Sequence, residues 1–138
     1  MSDLPTPPTQ TADPALLTLE FEGAGHGPLR AIVAGEIDFA SAPSMQARIT
    51  AACDRARTRQ LILDLAGVGF MDSSGLRVLL HLRRELAGEH GGLVLLGPTE
   101  EVRHILTLTG LDQHLPVADT LVRAQELLRE TENDSTEP

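Results

Sequence analysis

Two adjacent serines in the segment Gly69-Phe70-Met71-Asp72-Ser73-Ser74-Gly75 are the residues best placed to do chemistry. A serine hydroxyl can accept a phosphoryl group, attack as a nucleophile or cap a helix, and its surroundings decide between these uses. The segment follows the apolar run Leu61-Ile62-Leu63-Asp64-Leu65 and opens the amphipathic run Leu76 to Leu86, so the hydroxyls fall where a strand hands over to a helix. A helix start presents unpaired backbone N–H groups and the positive end of the dipole, and a phosphate placed there would be stabilised. The junction therefore suits a phosphoryl switch. Taken alone, the segment is better served by the plainer reading in which Ser73 or Ser74 caps the helix, and Ser74 is the candidate for that role. A serine hydrolase would need the G-x-S-x-G elbow, but Met71 stands where its first glycine belongs and no histidine follows in a recognisable context.

Other chemistries find less support. The five histidines (His26, His81, His90, His104 and His114) fall on loops or polar helix faces without HExxH or another metal spacing, so no metal site is expected. Cys53 is the only cysteine, which rules out an internal disulfide and reads as a small buried apolar residue. Gly23-Ala24-Gly25-His26-Gly27-Pro28 is glycine-rich but opens no helix, so it reads as a hairpin loop and not as a phosphate cradle. The chain carries a net charge of −9 over 138 residues, unevenly spread. Asp3, Asp13, Glu130, Glu132, Asp134 and Glu137 lie in terminal stretches without a base, leaving 14 acids against 11 arginines between residues 16 and 129. With three Phe, no Trp and no Tyr, and no basic excess, nucleic acid is not an expected partner. No run reaches the length of a membrane span and the N-terminus lacks a signal-peptide pattern, so a soluble, cytoplasmic protein is expected.

These side chains need a scaffold, and the periodicities describe one. Leu17, Leu19 and Phe21 alternate with polar residues as in a half-wet strand, and Leu29 to Ala34 forms the second arm of a hairpin. From Ser41 to Arg57 the period changes to that of a helix, with Met45, Ile49, Ala52, Cys53 and Ala56 on one face. Leu61 to Leu65 reads as a strand buried on both faces, and the helix to Leu86 follows it. The alternation continues with a strand at Leu93 to Leu96, a helix from Thr99 to Thr109 capped by Thr99, and an edge strand at Leu115 to Val117 around Pro116. A last helix capped by Asp119 runs to about Glu130, with Leu121, Ala124 and Leu128 inward. The expected order is β-β-α-β-α-β-α-β-α: one α/β domain over residues 15 to 130, a mixed sheet of about five strands with four helices. Residues 1 to 14 and the acidic 131 to 138 are expected to be disordered tails.

In this order Asp38 and the Asp72-Ser73-Ser74-Gly75 turn share the C-terminal edge of the strands, where open sheets bind. The elements Gly35-Glu36-Ile37-Asp38, Leu63-Asp64-Leu65, Phe70-Met71-Asp72-Ser73-Ser74-Gly75-Leu76 and Thr109-Gly110-Leu111 resemble the signatures of the sulfate transporter and anti-sigma factor antagonist (STAS) family. The resemblance spans about residues 16 to 130 and is strongest to the bacterial anti-sigma factor antagonists. It implies that the first serine of the motif, Ser73, is phosphorylated by a partner anti-sigma factor that is a serine kinase. It further implies that the unmodified protein binds that partner and so releases a sigma factor, and that a phosphatase restores binding. The partner surface so implied is Asp38, Met71, Asp72, Ser73, Ser74 and Gly75, with ATP and magnesium belonging to the kinase and no cofactor or enzymatic activity here. A scaffold of a stress-signalling complex is the alternative within the family, and a small serine hydrolase the alternative outside it. Asp38 and Asp64 also have plain readings, the first as a helix cap and the second as a strand-end acid satisfied by backbone.

Overall fold

The computed structural model describes residues 17 to 136 apart from 24, 26 and 89, with side chains as far as residue 130. The segments 1 to 14 and 137 to 138 of the expected tails lie outside the described residues. Five strands stand side by side in chain order: β1 (Leu17–Gly23), β2 (Leu29–Ile37), β3 (Gln60–Met71), β4 (Gly92–Leu96) and β5 (Val117–Ala118). β1 and β2 form the antiparallel hairpin, and every later pairing is parallel. The helices are α1 (Ala42–Ala56), α2 (Ser73–Leu86), α3 (Glu100–Thr109) and α4 (Leu121–Thr136), with a 3-10 turn at Leu111–Gln113. The expected order of elements is the observed one.

Alternation along β3 divides the core between two faces of the sheet. Leu61, Leu63 and Leu65 join Met45, Ile49 and Cys53 of α1, Leu79 and Leu82 of α2 and Val102 and Leu106 of α3 in one apolar cluster. Ile62 points the other way and meets Val94, Leu96, Ala124 and Leu128 under α4. Burial pushes the Cys53 thiol up to about 11, with the carboxylates of Asp54 and Glu85 adding to the effect and Arg59 opposing it. That is the behaviour of a buried structural cysteine.

Several boundaries differ from expectation for identifiable reasons. β5 starts at Val117, since Leu115 is held by the 3-10 turn through its N–H to the Leu111 carbonyl (2.9 Å), while the Pro116 carbonyl accepts from the Leu95 N–H (2.9 Å). Proline thus sits at the mouth of the edge strand, where its missing N–H costs no ladder bond. The cap of α4 is Thr120, whose Oγ1 accepts from the Arg123 N–H at 3.1 Å; Asp119 instead pairs with Arg103 at 2.9 Å. Leu121, expected inward, stays 37% exposed while Ala124 and Leu128 are buried, so the buried stripe of α4 starts one turn later. α4 itself continues to Thr136, past the end expected near Glu130, with no glycine or proline in 131 to 136 to break it.

The largest departure is β3, which runs on from Leu65 to Met71. It stays paired with β2 through two register shifts, at Ile32/Ala34 and Gly35/Glu36, and at the second Gly35 takes a φ of 115°, which glycine adopts without a Cβ penalty. Beyond these bulges Glu36 pairs with Phe70 and Ile37 with Met71. The extension therefore carries the β2–α1 and β3–α2 turns out side by side at the C-terminal edge of the sheet.

Candidate functional site

The N–H of Asp72 donates to the Ile37 carbonyl at 3.1 Å, the last rung joining β3 to β2. Immediately after it the chain turns into α2, and Asp72 is the N-cap: its carboxylate accepts from the Ser74 N–H at 2.8 Å, and its carbonyl from the N–H groups of Gly75 (3.0 Å) and Leu76 (3.2 Å). This corrects the assignment of the cap to Ser74, and α2 begins at Ser73, three residues ahead of its apolar stripe. With the cap supplied by Asp72, neither serine hydroxyl is needed for it. Ser73 is exposed, and among the described residues nothing hydrogen-bonds its hydroxyl.

Two residues of the expected partner surface lie underneath it. Met71 is 5% exposed and Gly75 is buried. A Cβ at Gly75 would collide with the Met71 side chain and come within 2.9 Å of Ile37 Cγ2. Glycine at this position thus allows a close internal approach: Met71 and Ile37 fill the space where a side chain would stand, and they brace the turn from below. The apolar group beside the turn that does face solvent is Phe70, 47% exposed.

The neighbouring turn is built by Asp38. Its Oδ1 accepts from the N–H groups of Ala40 and Ser41, both at 3.0 Å, while Ser41 Oγ donates to the Glu36 carbonyl (2.8 Å) and accepts from the Asp38 N–H (3.0 Å). The Ser41 N–H, with smaller contributions from the Ser41 hydroxyl and the Ala40 N–H, outweighs desolvation and holds the Asp38 carboxyl below its ordinary range. Asp38 thus organises the loop before α1 without capping the helix, since the N-cap position is Ser41 and both N–H groups that Asp38 accepts from precede Ala42; it adds a fixed negative charge to the same edge as Asp72. Next to Asp38 in the chain, Phe39 stands 83% exposed. It borders a groove of about 190 Å³ between the two helix starts, lined also by Pro43, Gln46, Ser74, Arg77 and Val78. Sequence reasoning missed Phe39 and Arg77; a lone aromatic between Asp38 and Ala40, in a chain with three phenylalanines, was the available signal for the first.

Asp64 does not belong to this edge. It is 6% exposed and pairs with Arg30 at 2.7 Å across the sheet, while its other oxygen accepts from the Ala66 N–H at 3.1 Å, so only part of its satisfaction comes from backbone. Among the described residues no three His, Cys, Asp or Glu side chains are grouped to hold a metal, and no helix is long and apolar enough to cross a membrane.

A five-stranded mixed sheet with four helices, carrying an exposed serine at the strand-to-helix turn of its C-terminal edge, defines a small α/β domain. The family model of the STAS domain matches residues 30–124, and the chain belongs to that family. It is 35% identical to the anti-sigma F factor antagonist of Lysinibacillus sphaericus over 77 residues, 56% of this chain and 66% of that relative. Among solved structures, an anti-sigma factor antagonist from Mycobacterium paratuberculosis superposes with a TM-score of 0.73 at 30% identity, covering 86% of this chain and 99% of that one. The anti-sigma factor antagonist SpoIIAA matches in its unphosphorylated form with a TM-score of 0.68 at 26% identity, over 82% of this chain and 97% of that one. The Bacillus SpoIIAA in its phosphorylated form matches with a TM-score of 0.61 at 26% identity, over 81% and 100%.

Proposed function

We propose that this chain is an anti-sigma factor antagonist: a non-enzymatic binding domain that engages a cognate anti-sigma factor, frees a sigma factor for transcription, and is switched off by phosphorylation of Ser73. The observation that carries the reading is the state of Ser73, an exposed residue whose hydroxyl has no hydrogen bond among the described residues, on a turn braced by Met71 and Ile37. Its setting in a family whose members include a protein solved both with and without phosphate supports the same reading. The partner surface then comprises Asp38, Phe39, Phe70, Asp72, Ser73 and Ser74 at the sheet edge, with Met71 and Gly75 acting from beneath to hold its shape. The kinase is the anti-sigma factor itself, supplying ATP and magnesium, and a separate phosphatase reverses the modification.

Phosphate adds about −1.5 to −2 charges at neutral pH beside Asp72 and near Asp38. Against a closely packed partner it brings bulk, like-charge repulsion and a desolvation cost, together several kcal/mol, and a few kcal/mol is a hundredfold or more in affinity. The test is intact mass after incubation with ATP, magnesium and candidate anti-sigma kinases from the same genome, with Ser73→Ala as control. One added phosphate that vanishes in the control is expected, as is weak partner binding by Ser73→Asp. Neither phosphate nor binding with any candidate would overturn the reading in favour of a scaffold role.

A further inference from the structure

Arg77 lies one helical turn beyond Ser73 on α2 and is exposed. Residues four apart on a helix share a face, with about 5 to 6 Å between their Cβ atoms, and side chains lean toward the helix N-terminus. The Arg77 guanidinium therefore has Ser73 within reach. Positions three and four away from it hold Ser73, Ser74, Leu80 and His81, none of them acidic. Among the described residues Arg77 has no ion-pair partner, whereas Arg30, Arg103 and Arg123 are each tied to carboxylates. It lines the groove beside Phe39, Gln46 and Ser74 instead.

We propose that Arg77 receives the phosphate on Ser73, forming a same-face guanidinium–phosphate pair that withdraws this cation from the groove beside Phe39. The inference rests on the reading of Ser73 as the modified residue and adds how the modified state is held. A guanidinium matches phosphate oxygens in a two-pronged geometry that an ammonium cannot reproduce. The other charged groups around the turn, Asp72 as the cap, Asp38 in the adjacent loop and Glu36 at the end of β2, are all acidic and oppose a dianion. His81, a further turn down α2, is engaged with Glu85 at 3.2 Å. Among the described residues Arg77 is thus a cation placed on the face of α2 that carries Ser73 and able to offset the new charge, and modification removes a positive contact from the groove as well as adding a negative one.

The experiment installs phosphoserine at position 73 of the full chain during translation, so that no kinase is needed, and follows the phosphorus resonance against pH. In the arginine protein the second phosphate ionisation is expected about half a pH unit or more below that of Arg77→Gln, with Arg77→Lys between them. Thermal midpoints of the unphosphorylated variants should coincide, since Arg77 is exposed and unpaired. Superposable titrations of the arginine and glutamine proteins would overturn the pairing while leaving the kinase assay on Ser73 untouched. A failed kinase assay, conversely, would leave this titration fully readable.

Discussion

The two turns at the C-terminal edge use the same pair of residue types and reach opposite results. In each an aspartate folds its carboxylate back onto backbone N–H groups: Asp38 onto Ala40 and Ser41, Asp72 onto Ser74. In the β2–α1 turn the serine is then drawn into the framework, buried to 5% exposure with its hydroxyl linking Glu36 and Asp38. In the β3–α2 turn the serine after the aspartate is exposed, and among the described residues nothing hydrogen-bonds its hydroxyl. Residue type does not separate a structural serine from an addressable one; the hydrogen bonds already made do, because a hydroxyl committed to buried backbone leaves two orphaned groups when it is removed or modified.

The sharpest way to break this contrast is to disturb what lies under the second turn. Gly75→Ala should lower stability by about 1 to 3 kcal/mol, since the added methyl overlaps Met71 and presses on Ile37; a denaturant midpoint equal to that of the parent would mean the turn is not braced from below. Next in size is the matched pair Ser41→Ala and Ser73→Ala. The first should cost about 1 to 2 kcal/mol by stranding the Glu36 carbonyl and the Asp38 N–H, and the second less than about 0.5 kcal/mol. Equal losses in urea unfolding would erase the distinction drawn between the two hydroxyls. For the caps, Asp72→Ala should cost about 1 kcal/mol, while Ser74→Ala should change little, the reverse of what a Ser74 cap requires.

The smallest effect concerns pH. The Asp38 carboxyl is held below its ordinary value of 3.8, so its ionised form favours the fold. Its contribution is complete above that value and is lost as pH falls through the lowered folded value. The difference in urea midpoint between the parent and Asp38→Asn should hold constant from neutral pH into the mildly acidic range, then close in more acidic buffer. A difference that grew on acidification would have the wrong sign.

The order of elements was legible because period-2 and period-3.6 patterns are written into the residues that face the core, from Leu19 in the hairpin to Leu128 in α4. The second half of β3 was not. Ala66, Gly67 and Gly69 are poor strand formers, and they are held extended by pairing with β2 across two bulges, a cause that lies thirty residues upstream. The same distant cause hid the cap: Asp72, Ser73 and Ser74 are all competent, and the choice falls on Asp72 because its N–H closes the last rung to Ile37. The direction of the Met71 side chain follows from that rung too, so a residue expected on the surface lies beneath it. That Asp38 and the Asp72-Ser73 turn share the C-terminal edge was legible, since it follows from the order of the strands, whereas the groove beside Phe39 needs two helices to form it.

The packing of Met71 and Ile37 beneath Gly75 bears on timing. A turn bolted to the core keeps one backbone shape, so in the proposed switch the message would be carried by chemical state alone. Release of the phosphate would return a surface ready for its partner with no slow rearrangement to wait for, and recovery would run at the pace of the phosphatase and of diffusion.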